Sequence, residues 1–234
     1  MSSKSWQKND QLMWLALSYF LFALSYVVTN SLLAYYFTYV LGKPGSYWLV
    51  GVITAILGII SVSLFPALVA LIKRRAIYVG GIAMMLVGYL LFLFAGQNTI
   101  VVLFAVGIFF FPYPMIFLAA LMTITDSVEY GQLKNGTRNE SVTLSVRPLI
   151  DKVAGAIANS VVGLAAVHSG MIGSAKPSSI SAGQLLNFRT YMFFAPIVLI
   201  IIAALVYLFK VELSEKKHSE IVNELETKLK AEQK

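Results

Sequence analysis

Apolar residues along this chain neither alternate nor recur as one helical stripe; they fill long blocks separated by short polar breaks. A bilayer core needs roughly 20 apolar residues as a helix, so blocks of that length read as membrane spans. The six blocks are 12–41, 47–72, 76–96, 100–123, 140–168 and 191–209. The breaks between them carry turn or charge signals: GKPGS at 42–46, Lys73-Arg74-Arg75, and Gln97-Asn98. Inside the fourth block, FFFPYP at 109–114 places two prolines within one helical turn, which removes backbone donors and predicts a kink or local unwinding. A polar linker, SGMIGSAKPSSISAGQLLN, separates the fifth and sixth blocks, and a charged tail fills 211–234. In that tail Ile221, Leu225 and Leu229 recur at helical spacing, with Glu224/Lys228 and Glu226/Lys230 four apart, so a short solvated helix is expected.

Composition agrees with the pattern. The 234 residues are 58% hydrophobic and 12% charged, against about 25% charged in soluble domains. The fold class expected is therefore all-α integral membrane. A net charge of +7 raises the question of nucleic acid, but the basic residues lie between apolar runs and form no patch, so no nucleic-acid partner is expected. They set topology instead. Lys4, Lys8, Lys73 to Arg75, Lys134, Arg138 and Lys210 to Lys217 fall on one side if six spans alternate, which predicts both termini in the cytoplasm of a multi-pass cell-membrane protein. The first residues show no cleavage site of a signal peptide, so the first span is expected to direct its own insertion. With no cysteine, disulfides, thiolate metal sites and a Cys nucleophile are excluded.

Charge inside a span carries the candidate chemistry. On the fifth span Ser141, Ser145, Pro148, Lys152, Gly155, Asn159 and Gly163 follow one another at steps of three or four and share one helix face. Leu144, Val153, Ile157, Val161 and Leu164 fall opposite them, toward lipid or apolar neighbours. Lys152 facing hydrocarbon costs several kcal/mol, so a watery cavity or an acidic partner is expected beside it. Asp151 points elsewhere and is expected to pair with Arg147 one turn earlier. The small residues Gly155, Ala158, Asn159 and Gly163 also suit close helix approach. On the first span Tyr19, Tyr26, Asn30 and Phe37 recur at steps of seven, four and seven. An amide with aromatic rings suits a sugar, whose hydroxyls take hydrogen bonds while its C–H face meets a ring. Asn30 and Tyr26 are the candidates there, Tyr19 and Phe37 being read as structural. On the fourth span Phe110, Tyr113 and Phe117 line up through the proline kink, with Phe117 the candidate ligand contact.

At TDSVEYGQLKNGTRNESVTLSVRPLIDKVAGAIANSVVG, residues 125–163, the chain resembles the glycoside–pentoside–hexuronide:cation symporters, the melibiose- and lactose-type permeases of the major facilitator superfamily. The residues that carry it are the D-x-x-E/D-Y-G core with Asp126 and Glu129, the R-x-E of Arg138 and Glu140, and Lys152 in the following helix. The likeness runs from NDQLMWLALSY to LSEKKHSEI and matches only the C-terminal six of the family's twelve helices. It implies one half of the fold, itself an inverted three-plus-three repeat, that works by alternating access. It also implies a sugar or glycoside cargo with sodium or a proton as coupling ion and no cofactor. Asp126, Glu129, Arg138 and Glu140 match charges of a cytoplasmic gating loop, and Lys152 the lysine near the sugar and coupling region. The opposing wall would come from an N-terminal six-helix half or a second copy; the alternative is a truncated half without transport activity of its own. An enzyme is not expected, since the two histidines lie at a span end and in the tail and no nucleophile motif occurs. No filter or gate sequence of a channel is visible either.

Overall fold

The computed structural model describes residues 9–173 and 175–232, all in helices and short connections. Lys4 and Lys8 lie outside the described residues. The elements are α1 (Asp10–Tyr35) with a π-helical turn (Tyr36–Val40), a 3-10 turn (Pro44–Ser46), α2 (Trp48–Ala95), α3 (Thr99–Phe110), α4 (Tyr113–Asn135) and α5 (Glu140–His168). A 3-10 turn (Pro177–Ser179), α6 (Ala182–Arg189), a second π-helical turn (Thr190–Phe194), α7 (Ala195–Lys210) and α8 (Glu215–Glu232) complete the chain. Among the described residues, five continuous helical stretches are long and apolar enough to cross a bilayer. One of them, Pro44–Ala95, has 52 residues, enough at about 1.5 Å each for two crossings of a ~30 Å core. It folds back at Lys73, so six spans result.

The break at Lys73 is a single residue with φ 64° and ψ 151°. That backbone region is close to glycine-only, and a side chain there is strained by roughly 1–3 kcal/mol. A carboxylate from the far end of the chain supports it: Glu215, at the start of α8, accepts from the Arg74 backbone N–H at 2.8 Å and from its guanidinium at 3.3 Å. This caps the second limb of α2, 74–95, as an N-cap residue would. The expected proline break also appears. Residues 111–112 form a turn that divides the fourth span into α3 and α4.

Packing centres on α1, which lies against α7 and α5, while α2 lies against α3 and α4. Phe22, Leu32 and Leu33 of α1 and Phe37 of the π-helical turn after it are fully buried. Three hydroxyls of α1 reach backbone carbonyls of the sixth span: Ser18 to Ala203 (2.7 Å), Ser25 to Pro196 (2.9 Å) and Thr29 to Met192 (3.0 Å). The last fills a gap, because Pro196 has no N–H to return to the carbonyl four residues before it. Tyr78 and Tyr89 of α2 close the same seam from the other side. Tyr78 lies 3.0 Å from Ser18, and Tyr89 lies 3.0 Å from Ser25 and 2.7 Å from Thr29. Since the three α1 hydroxyls spend their protons on carbonyls, the tyrosines are the donors, Tyr89 with its one proton to either Ser25 or Thr29. Outward-facing positions such as Leu71, Phe94, Ile100 and Phe209 are apolar and exposed, as lipid requires.

The ends of the bundle sort as the charge pattern predicts. Asp10 bonds Lys134 at 2.5 Å and Tyr130 at 2.8 Å, and Gln11 reaches the Lys210 carbonyl, so residues 9–11, 134 and 210 share one end. Lys43 to Thr99 and His168 to Tyr191 mark the other. The charged tail forms α8, which seats Ile221 against Tyr130 and Leu213.

Two outcomes are expected. Tyr89→Phe removes the single donor that Ser25 and Thr29 share and should lower stability by about 1 kcal/mol in detergent melts. Gly88→Ala should cost a similar amount or more, because a Cβ there sits 2.9 Å from Phe109 Cβ and 3.0 Å from its backbone. Gly155→Ala, which meets nothing within 4 Å, should be neutral in the isolated chain. The second outcome concerns α8. Partial burial pulls the Glu215 carboxyl up, but the Arg74 backbone and guanidinium bonds outweigh it and hold the group below its ordinary value. A depressed carboxyl stabilises docking fully above the unfolded value of roughly 4.3 and loses that contribution as pH falls through the folded value. A fluorophore on Asn223→Cys, in a chain with no other thiol, should report release of α8 on acidification below that point, and Glu215→Gln should show it at neutral pH.

Candidate functional site

Two open hollows meet at one pair of rings. Tyr26 of α1 and Tyr113 of α4 stack with centroids 3.8 Å apart and planes 9° from parallel. Their position follows from local sequence: Tyr113 sits at the first residue of α4, directly after the proline turn, and faces α1 because the break re-aims the helix. Phe22, Phe109 and Phe110 pack around the stack, which locks its orientation. One hollow, of about 250 Å³, is lined by Tyr19, Ala23, Tyr26, Val27, Tyr113 and Asp151. The other, of about 320 Å³, is lined by Tyr26, Asn30, Phe110 and residues of the first limb of α2, including Trp48 and Thr54. Tyr26 belongs to both.

An ion pair stands in the wall of the first hollow. Arg147 and Asp151 of α5 are 3.0 Å apart, as their i,i+4 spacing predicts. Asp151 also accepts from the Tyr19 hydroxyl at 3.1 Å, and the Arg147 guanidinium lies 4.1 Å over the ring of Phe117. Asp151 is eleven residues into α5, about 16 Å along it, far from either helix end. Charges at that depth persist only when paired or hydrated, and this pair is both bonded and partly open to the hollow. Stacked aromatic faces beside donors and acceptors can take a polyhydroxylated ring: apolar contact on one side, hydrogen bonds at the edge. Among the described residues no group of three or more His, Cys, Asp or Glu could hold a metal ion.

The residues expected from sequence distribute as follows. Tyr26 and Asn30 line the hollows, and Phe117 lies beneath Arg147. Lys152 and Asn159 are on the exposed side of α5 with Ser141, Ser145 and Gly163, and line neither hollow. No carboxylate among the described residues pairs with Lys152; Asp151 is held by Arg147. The side of α5 that packs on the bundle is instead built from Thr143, Val146, Ile150, Ala154, Ala158 and Ala165. Phe37 is buried, as a structural residue should be. Tyr19 is buried too, yet its hydroxyl reaches Asp151, so reading it as structural missed its polar end. Tyr113, Arg147 and Asp151 were not singled out as site residues. The available signal was an acid and a base within one apolar span, next to an aromatic line on another.

The four gating candidates need a correction of place. Asp126 and Glu129 are not loop charges. α4 continues past 123 to Asn135, where Gly136 (φ 70°) ends it, because Ile124, Ser127, Val128 and Gly131 keep a buried face toward the bundle. Only residues 136–139 link α4 to α5; Arg138 lies there and Glu140 opens α5. Asp126 pairs with the buried Arg74 at 2.5 Å. Glu129 and Glu140 share Arg138 at 3.0 and 3.1 Å, and the bond to Glu140 raises the guanidinium pKa further. His218 of α8 places Nε2 3.7 Å from Asp126 and 3.6 Å from Glu129. The four charges thus form one network with Arg74 and the tail helix.

The chain is similar in sequence to known sugar carriers. The chain is 43% identical over 221 residues to a lactose permease of Leuconostoc lactis, covering 94% of this chain and 34% of that protein. It is 48% identical over 223 residues to the raffinose carrier protein of Pediococcus pentosaceus, covering 95% and 35%. A lactose permease of Lactobacillus helveticus is 40% identical over 221 residues, covering 94% and 34%. The chain therefore spans about a third of the length of these relatives. The family model described as MFS/sugar transport protein matches residues 1–215, nearly all of the membrane bundle and its cap, and the chain belongs to that family.

Proposed function

We propose that the chain is the C-terminal six-helix part of a secondary active sugar or glycoside:cation symporter that works by alternating access. The observation that carries this reading is the stacked Tyr26–Tyr113 pair beside the Arg147–Asp151 ion pair, in hollows open to the surface of the bundle. Lactose and raffinose, in the names of the relatives, are of the chemical class that such a surface fits. The exposed polar stripe of α5, with Lys152 and Asn159, then faces a hydrated crevice closed by an N-terminal six-helix half or a second copy. The coupling ion is sodium or a proton. Both termini lie in the cytoplasm, which puts the Asp126–Glu129–Arg138–Glu140 network at the cytoplasmic mouth. The Arg138 pairs with Glu129 and Glu140 lie near the surface, where such pairs contribute only about 0–1 kcal/mol each, a scale suited to a latch that opens in every cycle, while the buried Asp126–Arg74 pair anchors one side of it.

Uptake measurements separate this from the alternative, an orphan half that inserts but transports nothing. Cells that express the chain with an N-terminal six-helix partner should accumulate a radiolabelled galactoside, and cells with either part alone should not. Uptake by the chain alone at the rate of a full-length relative would overturn the half-transporter reading; no uptake with any partner would favour the orphan. In the completed transporter, Lys152→Ala should reduce accumulation to background with insertion unchanged, and normal accumulation would remove Lys152 from the mechanism. Arg138→Gln should change exchange rate more than ligand affinity.

A further inference from the structure

A neutral sugar does not by itself require a charged pair in the wall that receives it, and two ions within a span are costly to place there. The geometry shows what the pair leaves available. Asp151 commits one oxygen to Arg147 at 3.0 Å and the other to the Tyr19 hydroxyl at 3.1 Å. Each carboxylate oxygen still has a lone pair for a further donor. Arg147 is held flat on Phe117, and its Nε–H is buried with no hydrogen-bond partner. Asp151 lines the 250 Å³ hollow, and its other lining residues, Tyr19, Ala23, Tyr26, Val27 and Tyr113, are uncharged. Lys152 is exposed on another side of α5 and does not line it.

We propose that Asp151 sets the charge class of the ligand: by occupying Arg147 from within the chain, it makes this wall accept neutral polyhydroxylated glycosides and reject anionic ones. The inference rests on the reading of this hollow as a glycoside site. A guanidinium is a natural two-point receptor for a carboxylate or sulfonate. Here the Nη2 corner of that receptor is engaged by a carboxylate tethered one helical turn away, at an effective concentration of at least mM order. An anionic ligand must displace Asp151 and then sit beside it as a like charge. A sugar hydroxyl does neither; it donates to a free lone pair of Asp151, which lines the hollow, while the ion pair stays intact. Asp151 is therefore a specificity residue that acts partly through Arg147, and removing its charge converts Arg147 into an anion receptor.

Phenyl β-glucoside and phenyl β-glucuronide, which differ only in a CH2OH or a carboxylate at C6, are the probes. Binding of each is measured to the full chain in lipid nanodiscs. The wild type should prefer the glucoside. Asp151→Asn should shift the glucoside-to-glucuronide affinity ratio by at least about tenfold toward the anion, the worth of one charge-assisted bond. Asp151→Glu should keep the wild-type preference. An unchanged ratio in Asp151→Asn overturns the proposal. If that variant does not fold, the double variant Arg147→Gln/Asp151→Asn, with no charge left in the wall, should bind the glucoside and still not favour the glucuronide; a preference for the glucuronide overturns the proposal. A wild type that binds neither probe overturns the glycoside-site reading, and this proposal with it.

Discussion

The rest of the bundle depends on the hydroxyl seam between α1 and the sixth span. Inside a membrane there is no hydrophobic force to bring helices together, since lipid is as apolar as leucine. Close packing and interhelical hydrogen bonds must do it, the latter at about 0.6 kcal/mol on average in such settings. Ser18, Ser25 and Thr29 each spend a proton on a carbonyl of the other helix, while Tyr78 donates to Ser18 and Tyr89 to one of Ser25 and Thr29 from α2. Three spans are tied along one line, and each hydroxyl group is satisfied. This fixes the rotation of α1 about its axis, and so directs Tyr19, Tyr26 and Asn30, each one residue further on and about 100° round the helix, to the side where the hollows are.

The same principle, that no polar group in this setting can be left alone, organises the charges. Arg74 is almost wholly buried and would be untenable without Asp126 and Glu215. The strained turn at Lys73, the end of α4 and the start of α8 are thereby joined through one guanidinium. Deeper in the bundle Arg147 and Asp151 repeat the arrangement on a single helix, with Phe117 as the support. In both places an arginine is the hub, which suits its fixed fork of donors.

The spans were legible because apolar run length is a direct physical demand of the bilayer, and the proline break in the fourth because its donors are missing by composition. The Arg147–Asp151 pair was legible from spacing alone. The extension of α4 through TDSVEYGQLKN was not, because its polar residues look like a loop until Arg74 and α8 are placed against them. α6 was read as linker although Ser181 and Gln184 form a capping box, a signal too short to stand out in a Ser-rich stretch. The seam serines carry no signal in the sequence, since nothing in one helix reveals the carbonyl of another. Tyr26, Asn30 and Phe117 were found by aromatic and amide spacing, but the ionic part of the wall needed the fold to bring α5 against α1.

One ring, Tyr26, is the partition between the two hollows. Unstacking an aromatic pair costs about 0.5–1.5 kcal/mol, and side-chain rotamers flip in picoseconds to nanoseconds where they are free to turn. Held among Phe22, Phe109 and Phe110, this ring is not free in that sense and turns only when its neighbours move. Joining the two hollows into one therefore calls for movement of the helices that carry those neighbours, with the tyrosine following as a passenger.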